Sequence, residues 1–316
     1  MIKEIISVAV ITYNSSKTVI ETLNSILYQS YGANYIELII SDDGSSDNTV
    51  DVVRDWLFNN ESAFNNVKFF ANAVNGGIPK NINTAWQAST SQWIKSIAGD
   101  DILEVDCISD NMTFVSQHPD CSVVFSKMKW FGDIEKITPE PYHISFFKLS
   151  AKEQYRYLRY WSFNVAPTSF IKRDILPLVG FSDEKYRTIE DLPLWLKLTK
   201  HGYKLYFLNA LTVKYRISTS VSKSNLRYVN VPFLLDLIQI NKDNKLPFIN
   251  NPLDAVYRVE QLVMLHTKIL ISKVCNNEKN KISKTLDLFS LFLRPFHVYQ
   301  AIKRHCFNKI KSGPIK

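Results

Sequence analysis

Along the first half of the chain, short apolar runs alternate with stretches whose apolar positions recur three and four residues apart. Ile5 to Ile11 is largely β-branched, the pattern of a strand buried on both faces. Ser15-Ser16 can cap a helix whose apolar face holds Val19, Leu23, Ile26 and Leu27. Ile36 to Ile40 predicts a second strand, and Ser46-Asp47 a cap for a helix burying Val50, Val53, Trp56 and Leu57. Val67 to Phe70 reads as a third strand. Pro79 opens a helix running to about Ser89, and Trp93 to Ala98 is the fourth strand. Further on, the pattern predicts a strand over Cys121 to Phe125, turn and loop over 132–150, a helix over Ala151 to Trp161 and extended chain over Val165 to Lys172. Thr188 to His201 is a helix closed by Gly202, followed by two strands, Tyr203 to Leu208 and Leu211 to Ile217. From about Val229 the periodicity is helical to the end.

Strand–helix alternation predicts an α/β fold built on a mostly parallel sheet, with ligands at the carboxyl ends of its strands. Polar clusters fall at three such ends: Thr12-Tyr13-Asn14, Asp42-Asp43-Gly44-Ser45 and Asp100-Asp101. The expected organisation is an α/β catalytic domain over residues 1–220 and a helical, basic region over 221–316.

Composition narrows the class. The 316 residues are 46% hydrophobic and 22% charged, the balance of a globular protein. No apolar run approaches the roughly 20 residues of a membrane span. Ile5 to Ile11 is too short for the apolar core of a secretory signal, and Cys107, Cys121, Cys275 and Cys306 lack metal-site spacing, so a cytoplasmic protein with reduced thiols is expected. The net charge of +8 sits at one end: residues 241–316 carry 14 Lys and Arg against 5 Asp and Glu. That leaves residues 1–240 without a basic excess, which argues against nucleic acid as ligand. It suits a basic tail on an anionic membrane surface.

Asp100-Asp101 carries the chemistry. Two adjacent carboxylates at the end of a buried strand repel each other and are expensive to desolvate. A divalent cation offsets that, and Mg²⁺ or Mn²⁺ held by few protein ligands keeps positions open for phosphates. A solvated turn is the plainer reading of such a pair taken alone. A second acidic pair, Glu190-Asp191, opens a predicted helix. A carboxylate there can serve as general base, or simply favour the positive end of the helix dipole.

The series Ser7 to Asn14, Ile39 to Thr49, Asn75-Gly76-Gly77-Ile78-Pro79-Lys80-Asn81, Gly99-Asp100-Asp101, Gly180 to Glu184 and Ile189 to Trp195 resembles glycosyltransferase family 2, and bacterial surface-polysaccharide enzymes within it. The likeness spans roughly residues 5–217. It implies a GT-A fold, a nucleotide-sugar donor, a divalent metal and inversion at the anomeric carbon. By this resemblance Asp43 matches a uracil-binding aspartate, and Asp42 is left to the turn. Thr12, Tyr13 and Asn14 are expected to contact the nucleotide donor, with Tyr13 either stacking on the base or sitting at the rim of the core. Lys80 stands where relatives have arginine, either pairing with phosphate or lying exposed. Asp100 faces the sugar or ribose, Asp101 ligates the metal, and Arg216 contacts the diphosphate. Asp191 is the expected base, with Glu190 as rival, and Trp195 is a wall for a sugar acceptor or core. Where relatives carry a histidine after Tyr215-Arg216 this chain has Ile217-Ser218, so a third protein ligand to the metal is not expected.

The expected activity is inverting transfer of one hexose-type sugar from a UDP-sugar to a lipid-linked (undecaprenyl diphosphate) oligosaccharide at the inner face of the cell membrane. Two rivals stand beside it: a non-catalytic nucleotide-sugar-binding or scaffold protein, and a glycosyltransferase acting on protein. Apolar residues from Leu286 to Tyr299, mixed with Lys281, Lys284, Arg294 and the lysines beyond, form either an interfacial segment or a packed helical subdomain.

Overall fold

The computed structural model describes residues 3–160, 162, 165–217, 227–249, 251–296, 298 and 299. It forms two compact units, Met1–Ser218 and Thr219–Lys316.

The first unit is built on one sheet. Its strands are β1 (Ile6–Thr12), β2 (Ile36–Asp42), β3 (Asn66–Ala71), β4 (Trp93–Ala98), β5 (Ile102–Leu103), β6 (Val123–Gly132), β7 (Lys136–Thr138), β8 (Phe170–Lys172) and β9 (Leu205–Ile217). They lie in the order β3-β2-β1-β4-β8-β6-β9-β5, with β7 beside β6. β3, β2, β1 and β4 are mutually parallel; β8 is antiparallel to β4, and β9 runs parallel to β6. Ile6, Val8, Ala9 and Val10 are fully buried, as is every position of β2, because helices cover the faces. Those helices are α1 (Val19–Leu27), α2 (Thr49–Asn60), α3 (Ile78–Ala88), α4 (Cys107–Gln117), α5 (Ala151–Leu158), α6 (Ile175–Val179) and α7 (Asp191–Lys200).

Chain order reverses beside β1, with β2 on one side and β4 on the other. Such a switch point opens a crevice at the carboxyl ends. Register aligns those ends: Thr12 pairs with Asp42, and Ile11 with Ala98.

Several expectations are corrected. The two strands over 203–217 are one, β9, because Asn209 and Ala210 are absorbed in a register shift against β6 rather than turning the chain. Within 165–172 only Phe170–Lys172 is strand; Pro167 lies in a 3₁₀ turn, Ala166–Thr168. The segment 132–150 holds β7 and a 3₁₀ helix, Pro141–Lys148. Neither Ser15 nor Ser16 side chain caps α1; the Ser15 carbonyl accepts from Thr18 and Val19. Asp47 alone of Ser46-Asp47 serves α2, accepting the Thr49 N–H at 3.0 Å.

The second unit holds α8 (Val231–Asn244), α9 (Pro252–Val274) and α10 (Lys281–Phe289). Asparagine caps each: Asn230 accepts from Phe233, Asn251 from Asp254 and Asn280 from Ser283. Leu234 and Ile238 of α8 pack on Leu265 and Ile269 of α9. Among the described residues no helix is long and apolar enough to cross a membrane. Cys107, Cys121 and Cys275 are buried free thiols; Cys306 and the lysines from Lys303 onward lie outside the described residues.

Candidate active site

At the end of β1 the chain is fastened to the loop after β2. Asn14 has a left-handed φ of 51°, and its Oδ1 accepts from the Ser46 and Asp47 amides at 2.9 and 3.3 Å. Asp42 is fully buried and accepts from Ser45 N, Ser45 Oγ and Thr12 Oγ1 at 2.8, 2.6 and 2.8 Å. It therefore shapes the turn, with Thr12 as its partner. Asn14 is likewise committed to backbone, whereas Tyr13 between them is 41% exposed and presents its ring outside the core.

Asp43 projects toward the loop before α3. Its two oxygens accept the Gly76 and Gly77 amides at 2.7 and 2.9 Å. Burial raises its pKa, and those two amides oppose the rise. Each carboxylate oxygen keeps a second acceptor position. Glycine is required at 77: φ is +93°, and an added Cβ would lie 2.6 Å from the Arg187 carbonyl oxygen. Arg187 Nη2 in turn donates to the Asn75 carbonyl at 3.1 Å, and its charge bears on Asp43. Lys80 lies exposed on the first turn of α3, its stem over Gly76. Lys80 and Arg187 thus place two cations beside this loop. Arg187 had no signal in the sequence, because its partner Asn75 is 112 positions away.

Asp100 and Asp101 follow β4 directly. Asp101 is 1% exposed; its Oδ1 accepts the Arg216 amide at 2.9 Å, and its buried Oδ2 has no hydrogen-bond partner among the described residues. Burial, then the neighbouring Asp100 charge, push its pKa well above the usual carboxylate range, and burial raises Asp100 as well. A hard divalent cation answers this arrangement: it would meet the orphaned oxygen and relieve the repulsion. The donor set fits such an ion, with positions left for other oxygens. Among the described residues no cluster of three or more His, Cys, Asp or Glu forms a closed metal cage.

Arg216 is not free. Its Nε donates to the Asp100 carbonyl at 2.8 Å, its Nη2 pairs with Glu21 at 2.6 Å, and it lies over Phe131. β9 brings it there by pairing Ile102 with Lys214. Arg216 therefore holds the acidic turn in place.

The second acidic pair sits at the start of α7. Asp191 Oδ1 accepts the Leu192 amide at 2.6 Å. Glu190 precedes the helix and makes no capping bond with its side chain. Burial raises both, opposed at Asp191 by that amide; burial and the Asp191 charge carry Glu190 to about 8. Both carboxyls are thus held above the usual carboxylate range, and the Leu192 amide favours the charged form of Asp191. Both line a cavity of about 80 Å³ together with Ile97 and Ala98 of β4, Trp86 of α3 and Trp195 of α7. Lys95, fully buried, donates from Nζ to the Pro167 and Ser169 carbonyls, tying that wall to β4.

Tyr215, on β9, lies within electrostatic reach of both acidic pairs. Burial, then the charges of Asp101, Asp100, Glu190 and Asp191, raise its phenol to about 12. One hydroxyl thus feels all four carboxylates and stays protonated, able to donate.

The sequence pattern described as glycosyl transferase family 2 matches residues 7–177, more than half of the chain. The chain belongs to glycosyltransferase family 2. It is 24% identical to EpsE of Bacillus subtilis over 273 residues, 82% of this chain and 88% of EpsE. It is 25% identical to the Escherichia coli UDP-Glc:alpha-D-GlcNAc-diphosphoundecaprenol beta-1,3-glucosyltransferase WfaP over 227 residues, 70% of this chain and 81% of WfaP. The fold is GT-A: Staphylococcus aureus TarS 1-349 in complex with UDP-GlcNAc superposes with a TM-score of 0.60 at 20% identity, covering 84% of this chain and 72% of that one. A mannosyltransferase of Pyrobaculum calidifontis, solved with GDP-Man and Mn²⁺, gives 0.56 at 15% identity over 95% and 84%.

In this family 2 chain, the structure gathers Tyr13, Asp43 and Lys80 along the ends of β1 and β2, and Asp100, Asp101 and Arg216 at the end of β4. Glu190 and Asp191 enter from α7. Tyr215 was legible only as the neighbour of Arg216; its place in the sheet depends on β9 lying beside β6 and β5.

Proposed function

We propose that this protein transfers one sugar from a UDP-sugar to a hydroxyl of a lipid-linked oligosaccharide, with inversion, during assembly of a bacterial surface polysaccharide. The observation that carries the reading is the pair of carboxylate centres flanking the end of β4, one holding the buried Asp101 and the other the half-buried Glu190 and Asp191. One has an oxygen that no described residue satisfies; the other lines a cavity. The printed name of WfaP, with its UDP-Glc donor and diphosphoundecaprenol acceptor, supports the choice of partners.

Tyr13 offers its exposed ring to the base, and Asp43 a carboxylate oxygen to the uracil N3–H. Lys80 and Arg187 face the phosphates. Asp101, with Asp100, would hold Mn²⁺ or Mg²⁺; such an ion supplies Lewis-acid stabilisation of the departing diphosphate's charge. Arg216 keeps that turn rigid. Asp191 takes the proton of the acceptor hydroxyl as its oxygen forms a bond to the anomeric carbon and the bond to UDP breaks. Glu190, favoured in its neutral form by burial and the Asp191 charge, donates a hydrogen bond beside it.

Calorimetry in Mn²⁺ with UDP, dTDP, GDP and CDP should rank UDP first and dTDP second, since only these two carry the N3–H edge Asp43 can read. GDP binding best would remove the base assignment.

The acceptor side rests on the second unit. Leu288, Phe289, Phe292 and Leu293 are exposed, Phe292 by 82%, with the two phenylalanine rings stacked. Lys281 and Lys284 share α10, and residues 300–316 add five Lys and Arg with no acid. An apolar patch with basic neighbours suits the anionic surface of the cell membrane's inner face. Co-sedimentation with phosphatidylglycerol vesicles should be salt-sensitive and fall in Phe289→Ser/Phe292→Ser. Unchanged sedimentation of that variant would make the patch an ordinary protein surface.

A further inference from the structure

We propose that Asn83 and Ser182 are positioning residues for the general base: they hold the start of α7, and with it Glu190 and Asp191, at a fixed place on α3. These roles rest on the glycosyl-transfer reading above and extend it. Asn83 lies on α3, 3% exposed, and spends its side-chain amide on the segment between α6 and α7. Its Nδ2 donates to the Ser182 carbonyl and to Glu184 Oε1, both at 2.9 Å, and its Oδ1 accepts the Ser182 amide at 3.0 Å. One side chain thus satisfies both backbone groups of Ser182, as a neighbouring strand would. Ser182, equally buried, passes the contact on: its Oγ donates to the Glu190 carbonyl at 3.0 Å. A second tie joins the same segment to α3, from the Ile78 amide to the Arg187 carbonyl at 2.9 Å.

The backbone beside Ser182 is held in a strained shape. Phe181 has a left-handed φ of 54°, which a bulky aromatic residue rarely adopts. Such a conformation persists only where its surroundings over-determine it, and such places cluster at functional sites. Here Lys197 of α7 donates to the Phe181 carbonyl at 3.2 Å, and Asn83 fixes the next residue. The result is a mount with two points on one helix. The N-terminal end of α3 bears Lys80 and follows the Gly76 and Gly77 amides that hold Asp43, so it anchors the donor side. Asn83, about 7.5 Å further along the axis than Ile78, anchors the base. In-line transfer needs this separation fixed, because a misplacement of about 1 Å costs on the order of 10²-fold in rate.

Two variants test the roles. Ser182→Ala deletes the tie to Glu190 and leaves the Asn83 bonds to backbone in place. Asn83→Asp keeps an acceptor for the Ser182 amide, removes both donations and sets a carboxylate against Glu184. Each is assayed in Mn²⁺ for UDP binding by calorimetry. Each is also assayed for kcat and KM of UDP release, from whichever of UDP-glucose, UDP-galactose and their N-acetyl forms the wild type cleaves fastest. Both should lose about tenfold or more in kcat, the scale of a misplaced reacting group. The Kd for UDP should stay within about twofold of the wild-type value. Ser182→Ala carries the test by itself if Asn83→Asp does not fold. Adding Ser182→Ala to Asp191→Asn separates positioning from plain support of the fold. A residue that acts through the base costs less than about twofold once the base is gone, whereas independent losses multiply. An unchanged kcat in Ser182→Ala, a loss of UDP affinity that matches the loss of kcat, or full multiplication in the double variant overturns the positioning roles. Wild type that releases no UDP, or Asp191→Asn that turns over at the wild-type rate, overturns the base reading itself and the positioning roles with it. That outcome is told apart by the wild type and the single Asp191 variant alone.

Discussion

Asp101→Ala should abolish sugar transfer, a loss of at least about 10³-fold, because Lewis-acid stabilisation of a leaving diphosphate is worth several kcal/mol. Asp101 supplies the one buried carboxylate oxygen of the crevice that no described residue satisfies, beside a second carboxylate that makes its isolation unfavourable. Its other oxygen accepts the Arg216 amide, so alanine also strips a structural bond. Asp101→Asn keeps an acceptor for that amide and removes the charge. It should fold like the wild type by circular dichroism and still fail in transfer. Chelation of the wild type should silence it, and added Mn²⁺ or Mg²⁺ should restore it. Full activity in exhaustively chelated buffer removes the metal from the account.

Asp191→Asn should lower turnover by about 10²–10⁴-fold, the usual loss when a general base is removed. The amide keeps the size of the side chain and its Oδ1 still accepts from Leu192, so α7 should begin where it does now. UDP affinity should stay near the wild-type value, since Asp43, Tyr13 and Lys80 are untouched. Glu190→Gln should be milder, because burial and the Asp191 charge favour the neutral form of Glu190 and glutamine preserves a hydrogen-bond donor. If Glu190→Gln is the inactive variant and Asp191→Asn turns over, the two exchange roles.

The parallel half of the sheet was legible because its strands announce themselves. Ile6–Thr12 and Ile36–Asp42 are apolar runs too short for helices, and each ends in polar residues at the crevice. Trp93–Ala98 needed no adjustment. The turn-forming role of Asp42 was also readable, since a carboxylate at the end of such a strand caps the turn that follows. What stayed hidden depends on contacts far apart in sequence. Arg216 has the composition of a phosphate ligand, yet Glu21 lies 195 positions away and captures it. Asn14 looks like a ligand-facing residue, but a left-handed φ turns its amide onto residues 46 and 47. The continuity of β9 was missed because Asn209-Ala210 reads locally as a break, and only the register against β6 absorbs it. The cavity had no sequence signal: its walls come from β4, α3, α7 and the 3₁₀ turn at 166–168, held by Lys95 reaching two carbonyls more than 70 positions away.

The central claim is that the two acidic centres act together on a UDP-sugar. It is tested most directly by nucleotide release from the wild-type protein across a panel of UDP-, dTDP-, GDP- and CDP-sugars, with Mn²⁺ and with excess chelator. The account predicts UDP release from at least one UDP-sugar in Mn²⁺ and none under chelation. Release of GDP or CDP in preference to UDP, release that is indifferent to chelation, or silence with every UDP-sugar would contradict it.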